Sequence, residues 1–107
     1  MMAYLLLSQK IVRIKSVAIV SAPSDLQMWS RNRPAVLNNV LVPAFGGSIN
    51  EMKKRSGVYL VKKFNKNVPL FILHGQLDDK VSVESTLKMY DKCCKNGVPT
   101  RLLVLED

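Results

Sequence analysis

Two adjacent carboxylates, Asp78 and Asp79, follow an apolar run and a His-Gly pair in the stretch PLFILHGQLDDKV at residues 69–81. A carboxylate in such a place can hold an imidazole in one tautomer, so that the imidazole can take the proton of a serine hydroxyl. Neighbouring loop side chains can exchange orientation, so spacing alone leaves both aspartates as candidates for this acid. The alternative is that both only shape the loop, because aspartate is common in turns.

Serine and cysteine provide other reactive groups. Ser48 is followed three residues later by Glu51, which is the spacing of a capping box at the start of a helix. Asn50 stands where a Gly-x-Ser-x-Gly nucleophile turn needs glycine, so we predict that Ser48 is a cap. The adjacent Cys93 and Cys94, with a single histidine in the chain, do not form the spaced ligand set of a tetrahedral metal site. We predict no metal and no cofactor.

The apolar runs predict the elements that would position the carboxylates. Residues 1–12 have the composition of a buried helix. Three short apolar runs are typical of strands, namely residues 17–20, 70–73 and 102–105. Strand, helix and strand with short connections indicate a parallel sheet in an α/β fold. Asp78 would then lie beyond the carboxyl end of a strand, where open α/β sheets place ligands and catalytic groups.

Two helical regions are predicted between the first and second strands. Residues 26–41 have a mixed pattern that Pro34 interrupts, which is typical of irregular helical turns. A second helix would begin at Ser48, and Gly57 would close it in a left-handed conformation.

One longer helix is predicted over residues 83–96. Gly97 and Pro99 would end it, since glycine favours a left-handed cap and proline cannot continue a helix. Its apolar residues repeat at helical spacing and predict one apolar face, formed by Val83, Leu87, Tyr90 and Cys94.

Length and charge limit the classes of function. A chain of 107 residues provides one small domain or part of one. The net charge of +8 would suit nucleic acid, but the basic residues are spread along the chain without a recognisable motif, so we predict no nucleic-acid partner. No apolar run approaches the about 20 residues of a membrane span, and we predict no membrane partner. Neighbouring cysteines cannot pair within a helix, so a reduced, cytoplasmic protein is expected.

The sequence resembles the end of the catalytic domain of prolyl oligopeptidase family serine peptidases. The resemblance is carried by PLFILHGQLDDKVSVESTLKMYDKCCKNGVPTRLLVLED, where an apolar strand, His-Gly, two variable residues, Asp-Asp, a variable residue and Val precede a helix, a Gly-Val-Pro turn and a last strand. Residues 16–26 are similar to the family's strand that follows the nucleophile helix. Residues 45–75 are similar to the family's segment between the preceding strand and the strand that carries the acid. The resemblance implies a partial α/β-hydrolase fold, with the last three parallel strands and their connecting helices, and makes residues 1–107 the C-terminal part of such a domain.

The resemblance also implies roles for single residues. The acid of the family's Ser-His-Asp triad matches Asp78, while Asp79 is expected to cap the next turn or face solvent, with exchanged roles as the alternative. His74 precedes the acid, whereas the catalytic histidine of this architecture follows the last strand, so we expect His74 to be structural. Trp29 lies in a region that borders the family's substrate pocket, and we expect it to pack.

The beginning and the end of the sequence, compared with the family, suggest how much of the triad is present. In the family, the nucleophile turn precedes residues like MMAYLL, and the histidine follows the last strand. We therefore expect a chain that holds only the acid of the triad and is inactive alone. Its partner would be the remainder of the catalytic domain, and a peptide would be the substrate of the complete enzyme. Two alternatives remain: a fragment of an esterase or acyl-peptide hydrolase of the same fold, and a non-catalytic α/β fragment that acts by binding.

Overall fold

Three parallel strands form the sheet in the computed structural model, which describes residues 2–9 and 13–106. The strands are β1 (Val17–Val20), β2 (Leu70–Gly75) and β3 (Thr100–Leu105), and β2 lies in the centre. In the register, Ile72 of β2 lies opposite Ile19 on one side and Leu102 on the other. The predicted α/β fold with three parallel strands is confirmed.

Helices precede and connect the strands. The first helix, α1 (Met2–Gln9), falls within the helix predicted for residues 1–12, of which residues 1 and 10–12 lie outside the described part. The connection from β2 to β3 contains α7 (Val83–Lys95). The connection from β1 to β2 contains α2 (Leu26–Asn32), α3 (Pro34–Val36), a π-helical segment (Leu37–Leu41), α4 (Val42–Phe45), α5 (Ile49–Arg55), α6 (Gly57–Leu60) and a 3-10 turn (Val61–Lys63).

The irregular helical turns predicted for residues 26–41 are confirmed. Pro34 begins α3, a position where its missing N–H costs nothing because the first amides of a helix have no partner within the helix. The π-helical segment then runs into α4, which ends at Gly46 with a φ of 86°. Between β1 and β2 the chain therefore folds as a series of short helical pieces.

The prediction that Gly57 closes the capped helix is wrong. Ser48 begins α5 as predicted, and its hydroxyl accepts a hydrogen bond from the amide of Glu51 at 3.2 Å. However, α5 is followed by an extended Ser56, and Gly57 is the first residue of α6. A Cβ atom at Gly57 would lie 2.6 Å from a ring carbon of Tyr4. Glycine is needed here for close packing and not for a left-handed turn.

The apolar face predicted for α7 does not match its buried face. The buried residues are Ser85, Thr86, Met89 and Cys93, while Leu87 and Cys94 are exposed. Ser85 and Thr86 can be buried because their hydroxyls have hydrogen-bond partners in the fold. A pattern based on apolar side chains alone could not identify them.

The end of α7 is as predicted. Gly97 has a φ of 73°, and the amide of Val98 donates to the carbonyl of Cys93 at 2.9 Å. This pattern is a Schellman motif, which satisfies carbonyl groups that the last turn would otherwise leave open. It directs the chain into β3.

The main core lies on one face of the sheet. Ile19, Leu70 and Ile72 point into it, and the cluster is completed by Tyr4, Leu7, Val58, Leu60, Val61, Phe64, Val68, Met89, Cys93 and Val98. A second cluster holds the irregular helices together, through Leu26, Val36, Leu41 and Met52.

The opposite face of the sheet is apolar and open. Val20, Phe71 and Leu103, one from each strand, are 66%, 39% and 53% exposed. Fully apolar parallel strands normally have both faces covered. This face is therefore of the kind that other helices or strands usually cover. Among the described residues, no helix has both the length and the apolar character needed to cross a bilayer.

Candidate active site

Asp78 lies in the loop that follows β2, the central strand. Its amide donates to the carbonyl of Gly75, so the chain turns directly after the strand. Its Oδ1 atom accepts hydrogen bonds from the amides of Lys80 at 2.9 Å and Val81 at 3.0 Å. Its Oδ2 atom lies 3.6 Å from Nε2 of His74, which is beyond hydrogen-bond distance. One carboxylate oxygen is thus held by the backbone, and the side chain remains 19% exposed.

The surroundings of Asp78 favour its charged form. Hydrogen bonds from the amides of Val81 and Lys80 lower the pKa of Asp78 below its ordinary value, against the opposing effect of burial. Smaller contributions in the same direction to the pKa come from His74 and then from the Ser21 side chain. Asp78 is therefore a carboxylate, and a hydrogen-bond acceptor, at neutral pH.

Ser21 is a residue of this site that the sequence did not indicate. It follows β1 directly, and its amide donates to the carbonyl of Leu73 at 2.9 Å. Its φ of 51° lies in the left-handed region, which residues other than glycine adopt at a cost in free energy. Nothing in the sequence around Ser21 signals this conformation, which depends on the pairing of β1 with β2.

His74 connects β2 to the Asp78 loop and to α7. Its side chain is buried, with Nε2 2.8 Å from the carbonyl oxygen of Val81 and Nδ1 2.7 Å from Oγ1 of Thr86. A carbonyl can only accept, so Nε2 carries the hydrogen and Nδ1 accepts from the threonine hydroxyl. Both ring nitrogens are therefore engaged within the fold, and His74 has no nitrogen left for a proton transfer to substrate.

Thr86, His74 and Asp78 form a series of hydroxyl, imidazole and carboxylate that resembles a catalytic triad in its order. Thr86 and His74 are each only 1% exposed, so a substrate cannot reach the hydroxyl. The distance of 3.6 Å between His74 and Asp78 is also too long for the hydrogen bond that orients a triad imidazole. This series supports the loop and does not form a nucleophile.

The two adjacent carboxylates have different surroundings. Asp79 is exposed, and its backbone carbonyl accepts a hydrogen bond from the guanidinium of Arg33 at 2.5 Å. Trp29, as expected, packs against the second apolar cluster. Its indole Nε1 also donates to the carbonyl of Lys80 at 2.8 Å, which the sequence did not predict. Two side chains of the α2 region thus hold the loop that carries Asp78.

The other candidate residues lie in structural positions. Ser48 is exposed at the start of α5, where its hydroxyl accepts from the Glu51 amide. Cys93 is buried, Cys94 is exposed, and both are free thiols. Across residues 2–9 and 13–106, no group of three or more His, Cys, Asp or Glu side chains is arranged to hold a metal ion.

Three solved structures that resemble this chain are peptidases. An acylaminoacyl peptidase in complex with Z-Gly-Gly-Phe-chloromethyl ketone matches 99% of the chain with a TM-score of 0.82 at 14% identity. A puromycin-hydrolyzing peptidase of Mycobacterium tuberculosis matches 85% with a TM-score of 0.71 at 18% identity. Dipeptidyl peptidase 4 of Porphyromonas gingivalis matches 87% with a TM-score of 0.65 at 18% identity. These likenesses show the α/β-hydrolase fold, and the chain spans 17%, 14% and 12% of the three structures.

Curated relatives match by sequence over a shorter stretch. Non-reducing polyketide synthases ausA and prhL of Penicillium brasilianum are each 33% identical over 70 residues, which is 65% of this chain. The chain spans 3% of the length of each synthase. The sequence model of the prolyl oligopeptidase family, in contrast, matches residues 1–107, and the chain therefore belongs to that family of peptidases.

Proposed function

We propose that this chain supplies the acid of a Ser-His-Asp triad in a serine peptidase, and that Asp78 is that acid. The observation that carries the proposal is the arrangement of the Asp78 carboxylate. Two backbone amides fix Oδ1, while Oδ2 accepts neither of these bonds, and the side chain is 19% exposed beyond the end of the central strand. In α/β sheets this edge is where catalytic groups collect.

The chemistry assigned to Asp78 requires a negative charge and a fixed direction. Oδ2 would accept the N–H of an incoming imidazole and so leave the other ring nitrogen free to take the proton of a serine hydroxyl. The serine oxygen would attack the peptide carbonyl, and the imidazolium would return the proton to the departing amine. Water would then release the acyl group by the same route. The lowered pKa of Asp78 keeps the acid ionised throughout.

The serine and the histidine of this triad would come from outside the described residues. His74 is the single histidine of the chain, and its nitrogens contact Thr86 and the carbonyl of Val81. The natural partner is the remainder of a hydrolase domain, which would also cover the open apolar face of the sheet. Membership of the prolyl oligopeptidase family supports peptide bonds as the substrate class.

A reducing compartment, such as the cytoplasm, suits this chain. Cys93 and Cys94 are free, and their places in α7 point them in different directions. Exposed free thiols persist where glutathione keeps them reduced.

The test compares the two carboxylates in a complemented domain, formed by adding the segments that carry the serine and the histidine. Asp78→Asn should lower turnover of a chromogenic peptide by about 10⁴-fold, because the neutral amide can favour the wrong imidazole tautomer. Asp79→Asn, the matched control, should cost less than about tenfold because its side chain is exposed. Circular dichroism would establish that both variants are folded.

The outcomes separate the alternatives. Equal losses would remove the assignment of the acid, and a larger loss for Asp79→Asn would transfer it to Asp79. A complemented parent that cleaves neither peptides nor acyl esters would favour a chain that acts by binding.

A further inference from the structure

Two side chains of the α2 region hold consecutive carbonyl groups of the Asp78 loop. Trp29 lies in α2 and Arg33 is its C-terminal cap, and residues four apart project from the same side of a helix. Arg33 donates to the carbonyl of Asp79, and Trp29 donates to the carbonyl of Lys80. The contacts join parts of the chain that are 46 and 51 residues apart in sequence. Neither contact involves a side chain of the loop.

The first of these carbonyls belongs to the same peptide group as a donor to Asp78. The carbonyl of Asp79 and the amide of Lys80 form one planar unit, and no peptide bond of the described chain is cis. The C=O and N–H of a trans peptide therefore point in opposite directions. Arg33 holds the oxygen side of the unit, while the N–H side donates to Oδ1 of Asp78.

The next peptide group repeats this arrangement. Trp29 holds the carbonyl oxygen of Lys80, and the amide of Val81 on the other side of the same unit donates to Oδ1 of Asp78. Hydrogen bonds in series polarise one another, so a donor on the carbonyl strengthens the amide as a donor. Two parallel relays thus connect the α2 region to one oxygen of Asp78.

The α2 helix is itself fixed against the helix that follows the loop. Asp25 caps α2 by accepting from the amide of Met28, and its other carboxylate oxygen lies 2.9 Å from Nζ of Lys88 in α7. Asp25 is 2% exposed, so this ion pair anchors the start of α2. Trp29 and Arg33 therefore project from a helix that is joined to α7, the helix that follows the loop.

We propose that Trp29 and Arg33 are positioning residues for Asp78, acting through the peptide groups between residues 79 and 81. They fix the two amides that hold Oδ1, which turns Oδ2 towards the place of the triad imidazole. This proposal rests on the proposed function of Asp78 for its catalytic consequence. The relay itself can be measured without turnover.

The experiment uses the complemented domain with only this chain labelled for NMR. Trp29→Phe removes the indole N–H and keeps an aromatic ring for packing, and Arg33→Met removes the guanidinium and keeps an aliphatic stem. Arg31→Met is the matched control, since it removes the same charge from an exposed position of the same helix. The readouts are the amide shifts at positions 80 and 81, the titration midpoint of the Asp78 carboxyl, and kcat and KM for a chromogenic peptide.

Trp29→Phe should move the amide of Val81, and Arg33→Met that of Lys80, both in the direction of a weaker hydrogen bond. In both variants the titration midpoint of Asp78 should rise towards the ordinary value, because weakened amides stabilise the carboxylate less. We expect kcat to fall about fivefold in each, the loss expected for one weakened hydrogen bond, with KM within twofold of the parent. Arg31→Met should match the parent in every readout.

The failures are distinguishable. Unchanged amide shifts and an unchanged Asp78 midpoint in both variants would overturn the relay, even if Asp78→Asn abolishes turnover. Shifted amides with a full kcat would overturn the positioning role. Full turnover in Asp78→Asn, in contrast, would refute the proposed function of Asp78 and leave the relay to be judged by its amide shifts.

Discussion

Asp25 and Lys88 form an ion pair of 2.9 Å that joins the start of α2 to α7, the helix that follows the Asp78 loop. Burial opposes the charge of Asp25, but hydrogen bonds from Lys88 and from the amide of Met28 outweigh it, so the pKa of Asp25 lies below its ordinary value. The pair therefore contributes to stability where Asp25 is ionised.

Lys88→Met should lower the free energy of unfolding at pH 7 by about 1–3 kcal/mol, because Asp25 would be left as a buried carboxylate without a cation. This loss is smaller than for a fully buried pair because the Lys88 side chain is 38% exposed and solvent screens the interaction. The pair's contribution is complete above the ordinary carboxyl pKa of about 3.9 and is lost as pH falls through the lower folded value. Urea unfolding at pH 7 and at pH 3 should show the difference from the parent shrinking at the lower pH. Lys95→Met, which breaks an exposed pair with Asp91, should destabilise the fold much less than Lys88→Met.

Gly57→Ala should destabilise the fold by about 1–3 kcal/mol, because the new methyl group would overlap the fully buried ring of Tyr4. A double-mutant cycle with Tyr4→Leu measures the cause. The coupling should be favourable, so that Gly57→Ala costs less in the Tyr4→Leu background. Additive costs would mean that the backbone at Gly57, and not the contact with Tyr4, requires glycine.

The open face of the sheet should make the isolated chain self-associate. Val20, Phe71 and Leu103 expose apolar area on three adjacent strands, and such patches drive association. Chains with exposed apolar surface associate at roughly micromolar to millimolar concentrations. Sedimentation at about tens of micromolar should therefore reveal oligomers, and these should bind a hydrophobic dye. Leu103→Thr should reduce both signals more than Leu87→Thr, which changes an exposed leucine on α7. A monodisperse monomer with a cooperative melt would contradict this expectation.

The isolated chain should not hydrolyse peptides or activated esters. Within the described residues no serine is hydrogen-bonded to His74, whose nitrogens are used by Thr86 and the Val81 carbonyl. A carboxylate alone cannot generate a serine nucleophile. The assay compares the chain with its Ser48→Ala variant on an activated ester. Turnover that disappears with this substitution would show that Ser48 is more than a helix cap.

The strands and the position of Asp78 could be predicted because their signals are local. Continuous apolar runs specify buried parallel strands, and the residues after such a strand must lie at its carboxyl end. The start of α5 at Ser48 and the end of α7 at Gly97 follow from cap residues in the same few positions. These local signals do not decide which of Asp78 and Asp79 is the acid.

The rest depends on contacts between distant parts of the chain. Gly57 is specified by the ring of Tyr4, and the burial of Thr86 by its hydrogen bond to His74. The contact of Trp29 with the loop joins residues 51 apart, and no local pattern encodes it. A single sequence shows residue types and spacing, whereas these features require the packed fold.

The way the loop is held has a consequence for which amino acids it can accept. Every bond in the two relays uses backbone atoms of residues 79 to 81, so the exposed side chains of Asp79 and Lys80 are not needed to orient Asp78. A saturation library at position 80 should therefore tolerate acidic, basic, small and aromatic residues alike. Proline should be the exception, because it alone deletes the amide that reaches Oδ1. The backbone conformation of the loop would then be constrained, while the amino acid at position 80 could vary.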